Sequence, residues 1–272
     1  MAKSKKPTTL AERIADWRER PLLAYVIPFA VFMLFTMVPG WFQVDNSEKP
    51  WYIYAPEQWV YPIQTLVVGL LLFFFWKHYK FRPYKGVGLG MLLGAIGIVF
   101  WIVPSLLYYK LGVEDWPGRE ITIPLIMDKA PIWEVLFGLG ERLEGFDPSF
   151  FRENTFWYWS AVIMRFIRMV IVVSLVEEIF WRGFLMRFII NPDKPFWKIP
   201  FGTHTPKAFI VSTLAFTIVH HHIDFFACLI YGSLTYWVCI RTKSLAACVA
   251  MHAVANLLLG LYTMKTEQWG FW

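Results

Sequence analysis

Seven stretches of this chain are apolar over roughly the 20 residues that a helix needs to cross a bilayer, and no single motif limits the fold as firmly as they do. They run from Leu22 to Trp41, Trp59 to Trp76, Val87 to Tyr109, Phe156 to Ile190, Ala208 to His222, Phe225 to Ile240 and Leu245 to Met264. The expected class is all-α, a polytopic membrane bundle of about seven transmembrane helices. With 25 Phe and 15 Trp and 57% hydrophobic residues, the composition exceeds what an ordinary soluble domain carries, so a soluble reading is set aside.

Charge reports topology. The formal net charge is +6, but Lys and Arg gather in a few short loops, so a membrane orientation signal is expected and a nucleic-acid partner is not. Lys77, Lys80, Arg82 and Lys85 follow the second span, and Lys194, Lys198 and Lys207 follow the fourth. The positive-inside rule puts both loops and the N-terminus in the cytoplasm, in an inner or plasma membrane. Residues 1–21 contain no apolar core followed by a small-residue cleavage site, so they read as a retained basic interfacial helix or tail, with residues 22–272 as one membrane domain. Thr9 and Glu12 form a capping-box pattern, and Leu10, Ile14 and Trp17 fall on one stripe of the helix that would follow.

Between the first two spans, Asp45, Glu48, Lys49 and Glu57 lie among Trp41, Trp51, Tyr52, Tyr54 and Trp59, an aromatic belt at an interface. Gly88, Gly90, Gly94 and Gly97 in the third span allow close helix contact. The connection Lys110 to Asn154 is too charged to cross; within it Ile132, Val135, Leu136, Leu139 and Leu143 share one helical stripe, as in a helix lying on the membrane or covering the bundle. Cys228, Cys239 and Cys248 lack metal-type spacing and read as small core residues.

The chemistry-bearing residues lie in the motif-bearing half, 156–264. Glu177, Glu178 and Arg182 sit inside an apolar run, where ionisable groups are retained only if they are paired, line a wet cavity or perform a function. Glu178 and Arg182 are four apart and share a helix face, so Arg182 holds Glu178 and leaves Glu177 as the free carboxylate. A buried ion pair joining two helices is the purely structural alternative. Phe216 and His220 are four apart in the fifth span, and His252 and Asn256 are four apart in the last. Each pair lies at a depth that lets a carboxylate, two imidazoles and an amide share one buried cavity.

Glu177-Glu178-x-x-x-Arg182, Phe216-x-x-x-His220 and His252-x-x-x-Asn256, in that order, resemble the three motifs of the CPBP (ABI) membrane proteases, which include the type II CAAX-processing endopeptidases. The resemblance covers roughly Phe156 to Tyr262 and shows no departure within the motifs; some members of that family have an eighth span where this chain is read with seven. It implies a glutamate-dependent intramembrane protease without an acyl-enzyme. Glu177 with His220 would take a proton from water, and His252 and Asn256 would hold the oxyanion. Glu178, Arg182 and Phe216 would support them. The implied partners are the lipid bilayer and a membrane-associated or lipid-modified protein cut near its C-terminus, with no cofactor and no metal.

Two other readings stay open. Glu177, His220 and His252 are a possible zinc set for a membrane hydrolase, although the HExxH spacing is missing. A transporter or non-catalytic membrane partner could use the same groups as a buried Glu/His relay, although no inverted repeat or pair of broken helices is evident. No Gly-x-Ser-x-Gly elbow points to a serine protease.

Overall fold

The computed structural model describes residues 9–42, 44, 49–116, 120–123, 128–143 and 145–272. The basic residues before Thr9, and Asp45 and Glu48 of the first loop, lie outside the described residues. The architecture is an all-α helix bundle forming two compact units, divided between Lys80 and Phe81.

The first unit holds α1 (Leu10–Glu19), α2 (Pro21–Phe42), α3 (Trp51–Tyr54) and α4 (Glu57–Phe74). Thr9 caps α1 as its sequence suggests: its Oγ1 accepts from the Glu12 amide at 3.2 Å, and Glu12 Oε2 accepts from the Thr9 amide at 3.1 Å. The stripe of α1 is unpacked, with Leu10 75% exposed and Ile14 and Trp17 also exposed. Helices α2 and α4 pack on each other, and the buried Gln64 amide crosses between them to donate to Phe32 O at 2.7 Å.

The second unit holds α5 (Val87–Gly97), α6 (Val99–Lys110), the antiparallel strands β1 (Glu120–Ile123) and β2 (Asp128–Pro131), and α7 (Ile132–Phe137). After these come α8 (Thr155–Ile190), α9 (Pro206–Ile218), α10 (Phe225–Thr242) and α11 (Leu245–Thr266). Among the described residues six helical segments are long and apolar enough to cross a membrane, α5 and α6 together making one of them. The exception among the seven expected spans is α9, whose 13 residues rise about 20 Å. Its start follows from Thr205, whose side chain accepts from the Ala208 amide at 3.1 Å ahead of Pro206.

The connection differs from its sequence reading. The stripe from Ile132 to Leu143 is not one helix, because α7 stops at Gly138, whose φ of 69° is a left-handed helix end. Leu139 is buried beyond that stop and Leu143 is exposed. The three cysteines are buried and free.

Three of the four third-span glycines have a visible reason. A Cβ on Gly90 would come within 2.2 Å of Ala247 O, and one on Gly94 within 2.3 Å of Met251 O, so these two positions let α5 lie directly on the backbone of α11. Gly97 leaves room for the Tyr231 ring, while a Cβ on Gly88 would meet nothing within 4 Å. Gly94→Ala is therefore expected to lower stability by about 1–3 kcal/mol, the usual scale for forced overpacking. Gly88→Ala should leave thermal unfolding in detergent at the wild-type midpoint or slightly above it.

Candidate active site

Helix α8 carries the carboxylates, and its backbone is irregular around them. Two stretches, Ile167–Val173 and Ile179–Leu185, follow the wider π pattern, with the α-helical turn Ser174–Glu178 between them. Such segments within helices are frequent at functional sites. Nothing in the residue spacing foretold them.

Glu178 is fully buried. Its Oε1 accepts from Arg182 Nη1 at 3.3 Å and faces His252 Nδ1 at 3.0 Å. Arg182 Nη2 donates to Gly232 O of α10 at 3.3 Å, and the guanidinium lies 5.3 Å from the centre of the Phe216 ring. Phe216 thus provides an aromatic face for the buried cation, and its ring also meets Trp181 edge-on at 5.9 Å. The negative charge of Glu178 is balanced where it sits.

Glu177 is placed differently. It is 8% exposed, and its Oε2 is buried with no hydrogen-bond partner among the described residues. Glu178 Oε2 is also unpartnered, but Glu178 has Arg182 to neutralise it, whereas no ion pair forms on Glu177 among the described residues. No hydrogen bond joins Glu177 to His220 among the described residues, so the two groups expected to act together are not directly bonded.

His220 does not lie within a helical span, as the sequence reading has it, but on the turn after α9. Its own amide bonds Thr217 O at 3.1 Å, which frees Phe216 O to accept from the imidazole Nδ1 at 2.7 Å. A carbonyl can only accept, so Nδ1 carries the proton and the neutral ring offers Nε2 as its basic nitrogen. The same logic applies to His252, whose Nδ1 faces a carboxylate. As a neutral ring it too has its lone pair on Nε2, and it donates from both nitrogens only as imidazolium.

Asn256 Nδ2 donates to Met169 O at 2.7 Å, a carbonyl of the first π segment that also accepts from Ser174 Oγ at 3.3 Å. Gly260 permits this closeness, since a Cβ there would stand 2.8 Å from the Phe166 ring. One amide hydrogen of Asn256 remains to be used.

His221 and His222 behave unlike each other. His222 is buried, its Nε2 2.7 Å from Glu134 Oε1 of α7. Desolvation, with His222 alongside, holds the His221 imidazole below its usual range. Glu177, His220 and His252, the alternative zinc set, do not gather into a metal-binding cluster among the described residues.

Sequence reasoning missed three neighbours. Tyr231 is 2% exposed with an unpartnered hydroxyl, and its ring stands 5.9 Å from His252. Trp101 stands 5.6 Å from Tyr231 and 6.2 Å from His220, and Asp224 accepts from the Trp101 indole at 2.7 Å. A buried tyrosine or tryptophan in an apolar span signals a needed partner, but helix periodicity alone does not say which.

With this geometry in place, residues 159–258 match the family model described as Rce1-like, type II CAAX prenyl endopeptidase. Over that stretch the chain is similar to the type II CAAX prenyl endopeptidases. The match encloses all seven motif residues and indicates a protease embedded in a membrane. No curated protein and no solved structure matches the chain.

The Glu178 to Arg182 pair yields a stability test. Arg182→Met keeps bulk but strands a buried carboxylate, and loss of one partner of such a pair costs about 3–5 kcal/mol. Thermal unfolding in detergent should show that loss for Arg182→Met. Adding Glu178→Gln to it should restore part of the stability.

Proposed function

We propose that the chain is a glutamate-dependent intramembrane endopeptidase that cuts a membrane-associated or lipid-modified protein near its C-terminus. The observation that carries this reading is Glu177: a buried carboxylate with an oxygen unpaired among the described residues, beside a second carboxylate that Arg182 pairs. A general base needs an acceptor that the fold does not already occupy.

In this reading Glu177 takes a proton from water, and the resulting hydroxide attacks the scissile carbonyl carbon. His220 assists through Nε2, which accepts a hydrogen bond from the water, and the proton that Glu177 took passes to the departing amine, leaving Glu177 ionised again. The negative charge that develops on the carbonyl oxygen is held by the remaining N–H of Asn256 and by Nε2 of a protonated His252. Glu178, Arg182 and Phe216 hold His252 in place.

The matching family is described as type II CAAX prenyl endopeptidase, and a lipid-anchored C-terminus suits a site within apolar helices. The basic loop Lys77 to Lys85 supports a cytoplasmic N-terminus in an inner or plasma membrane.

The test compares C-terminal peptides of the membrane proteome in cells lacking the protein, after restoring wild type, Glu177→Gln or Glu177→Asp. A small set of C-termini should be shortened only by the wild type, with Glu177→Gln slowing product formation by about 10²–10⁴-fold, the usual worth of a general base. Glu177→Asp should be nearly as inactive. Full processing by Glu177→Gln would overturn the reading. Cleavage in purified membranes should also persist after dialysis against a chelator, and its loss would move the assignment to the zinc hydrolase.

A further inference from the structure

The turn that carries His220 is held from several other parts of the fold. Asp224 Oδ1, four residues on, accepts two strong donors, Trp101 Nε1 of α6 at 2.7 Å and Arg142 Nη2 of the long connection at 2.7 Å. Both charged side chains are largely buried, Arg142 at 5% and Asp224 at 15% exposed. Arg142 also donates to Ile223 O at 3.4 Å, and its guanidinium lies 4.8 Å from the Phe271 ring beyond α11. Its backbone is fixed as well, because Gly270 N donates to Arg142 O at 2.8 Å, and a Cβ on Gly270 would stand 2.9 Å from that backbone. Glu134 adds a second tether through His222.

What this clamp secures is an indole. Trp101 has its ring edge-on to His220 on one side and to Tyr231 on the other, and Tyr231 in turn meets His252. The indole and the Tyr231 ring therefore link the two histidines through successive ring contacts, and the indole Nε1 donates to Asp224.

We propose that Asp224 and Trp101 form a positioning pair, anchored by Arg142, that fixes His220 relative to His252. Asp224 acts through two routes. It pins the turn on which His220 stands, and it aims the indole against which the imidazole rests. Neither residue touches the reacting atoms. The connection Lys110 to Asn154 then has a function within the protease, as the buttress of a catalytic histidine. The role given to His220 rests on the proteolytic reading above, but its geometry does not.

Two readouts separate the proposal from that reading. The first is the ring-nitrogen spectrum of ¹⁵N-histidine-labelled full-length protein in detergent, with the His220 signal assigned by its loss in His220→Asn. The wild type should show His220 in the Nδ1–H form. Trp101→Phe, which keeps one aromatic ring but removes the N–H together with the five-membered ring that bears it, should shift or broaden the His220 signal and leave thermal unfolding within a few degrees of wild type. Asp224→Asn should do the same.

The second readout is formation of the shortened C-termini at matched expression. Each variant should slow it by about 10–100-fold, as loss of an orienting partner typically does. The double variant should be no slower than the worse single one, since both act through one contact. A wild-type His220 spectrum in both variants overturns the proposal, as does full additivity of the two losses. If instead Glu177→Gln still cleaves while the His220 spectrum responds as expected, the glutamate-dependent reading fails and the positioning pair stands. Should Asp224→Asn not fold, Trp101→Phe alone decides both readouts.

Discussion

Much of the second unit is arranged around one completely buried carboxylate, that of Glu178. Removing an ion of that size from water costs several kcal/mol even after relaxation, and Glu178 is completely covered. That cost dictates its surroundings. Arg182 must reach it from one turn on, and His252 from another helix. Arg182 in turn needs an acceptor and a face, which Gly232 and Phe216 supply from two further helices. A single buried charge thereby ties α8, α9, α10 and α11 into one arrangement. Glu177, next in the chain, is left as the carboxylate with chemistry to spare.

The same economy governs the two histidines. Each gives its Nδ1 to a fixed acceptor, a main-chain carbonyl for His220 and a carboxylate for His252. Identical side chains thus rest on different supports, one a main-chain acceptor and the other a buried carboxylate. The seat of His220 is local, made within four residues, whereas that of His252 depends on helices far apart in sequence.

This difference explains what could be read from the chain beforehand. Apolar length and period gave the helix class, and the four-residue spacings of Glu178 with Arg182 and of Phe216 with His220 place true neighbours together. The Thr9 cap and the packing use of Gly90 and Gly94 were equally legible, because each is a local rule. What could not be read required several helices at once. The π segments around the glutamates are sustained by bonds such as Asn256 to Met169 O, which joins residues 87 apart. Trp101 and Asp224 meet across 123 residues. The early end of α7 was readable in Gly138, but the periodic stripe obscured it.

The shortness of α9 bears on how a hydrolase in lipid obtains its second reactant. Thirteen residues rise about 20 Å against a hydrocarbon thickness of about 30 Å. A bilayer of ordinary depth meets such a helix with a mismatch, and it accommodates by thinning or by letting the headgroup zone dip beside it. His220 therefore stands at the end of a helix about 10 Å shorter than that thickness.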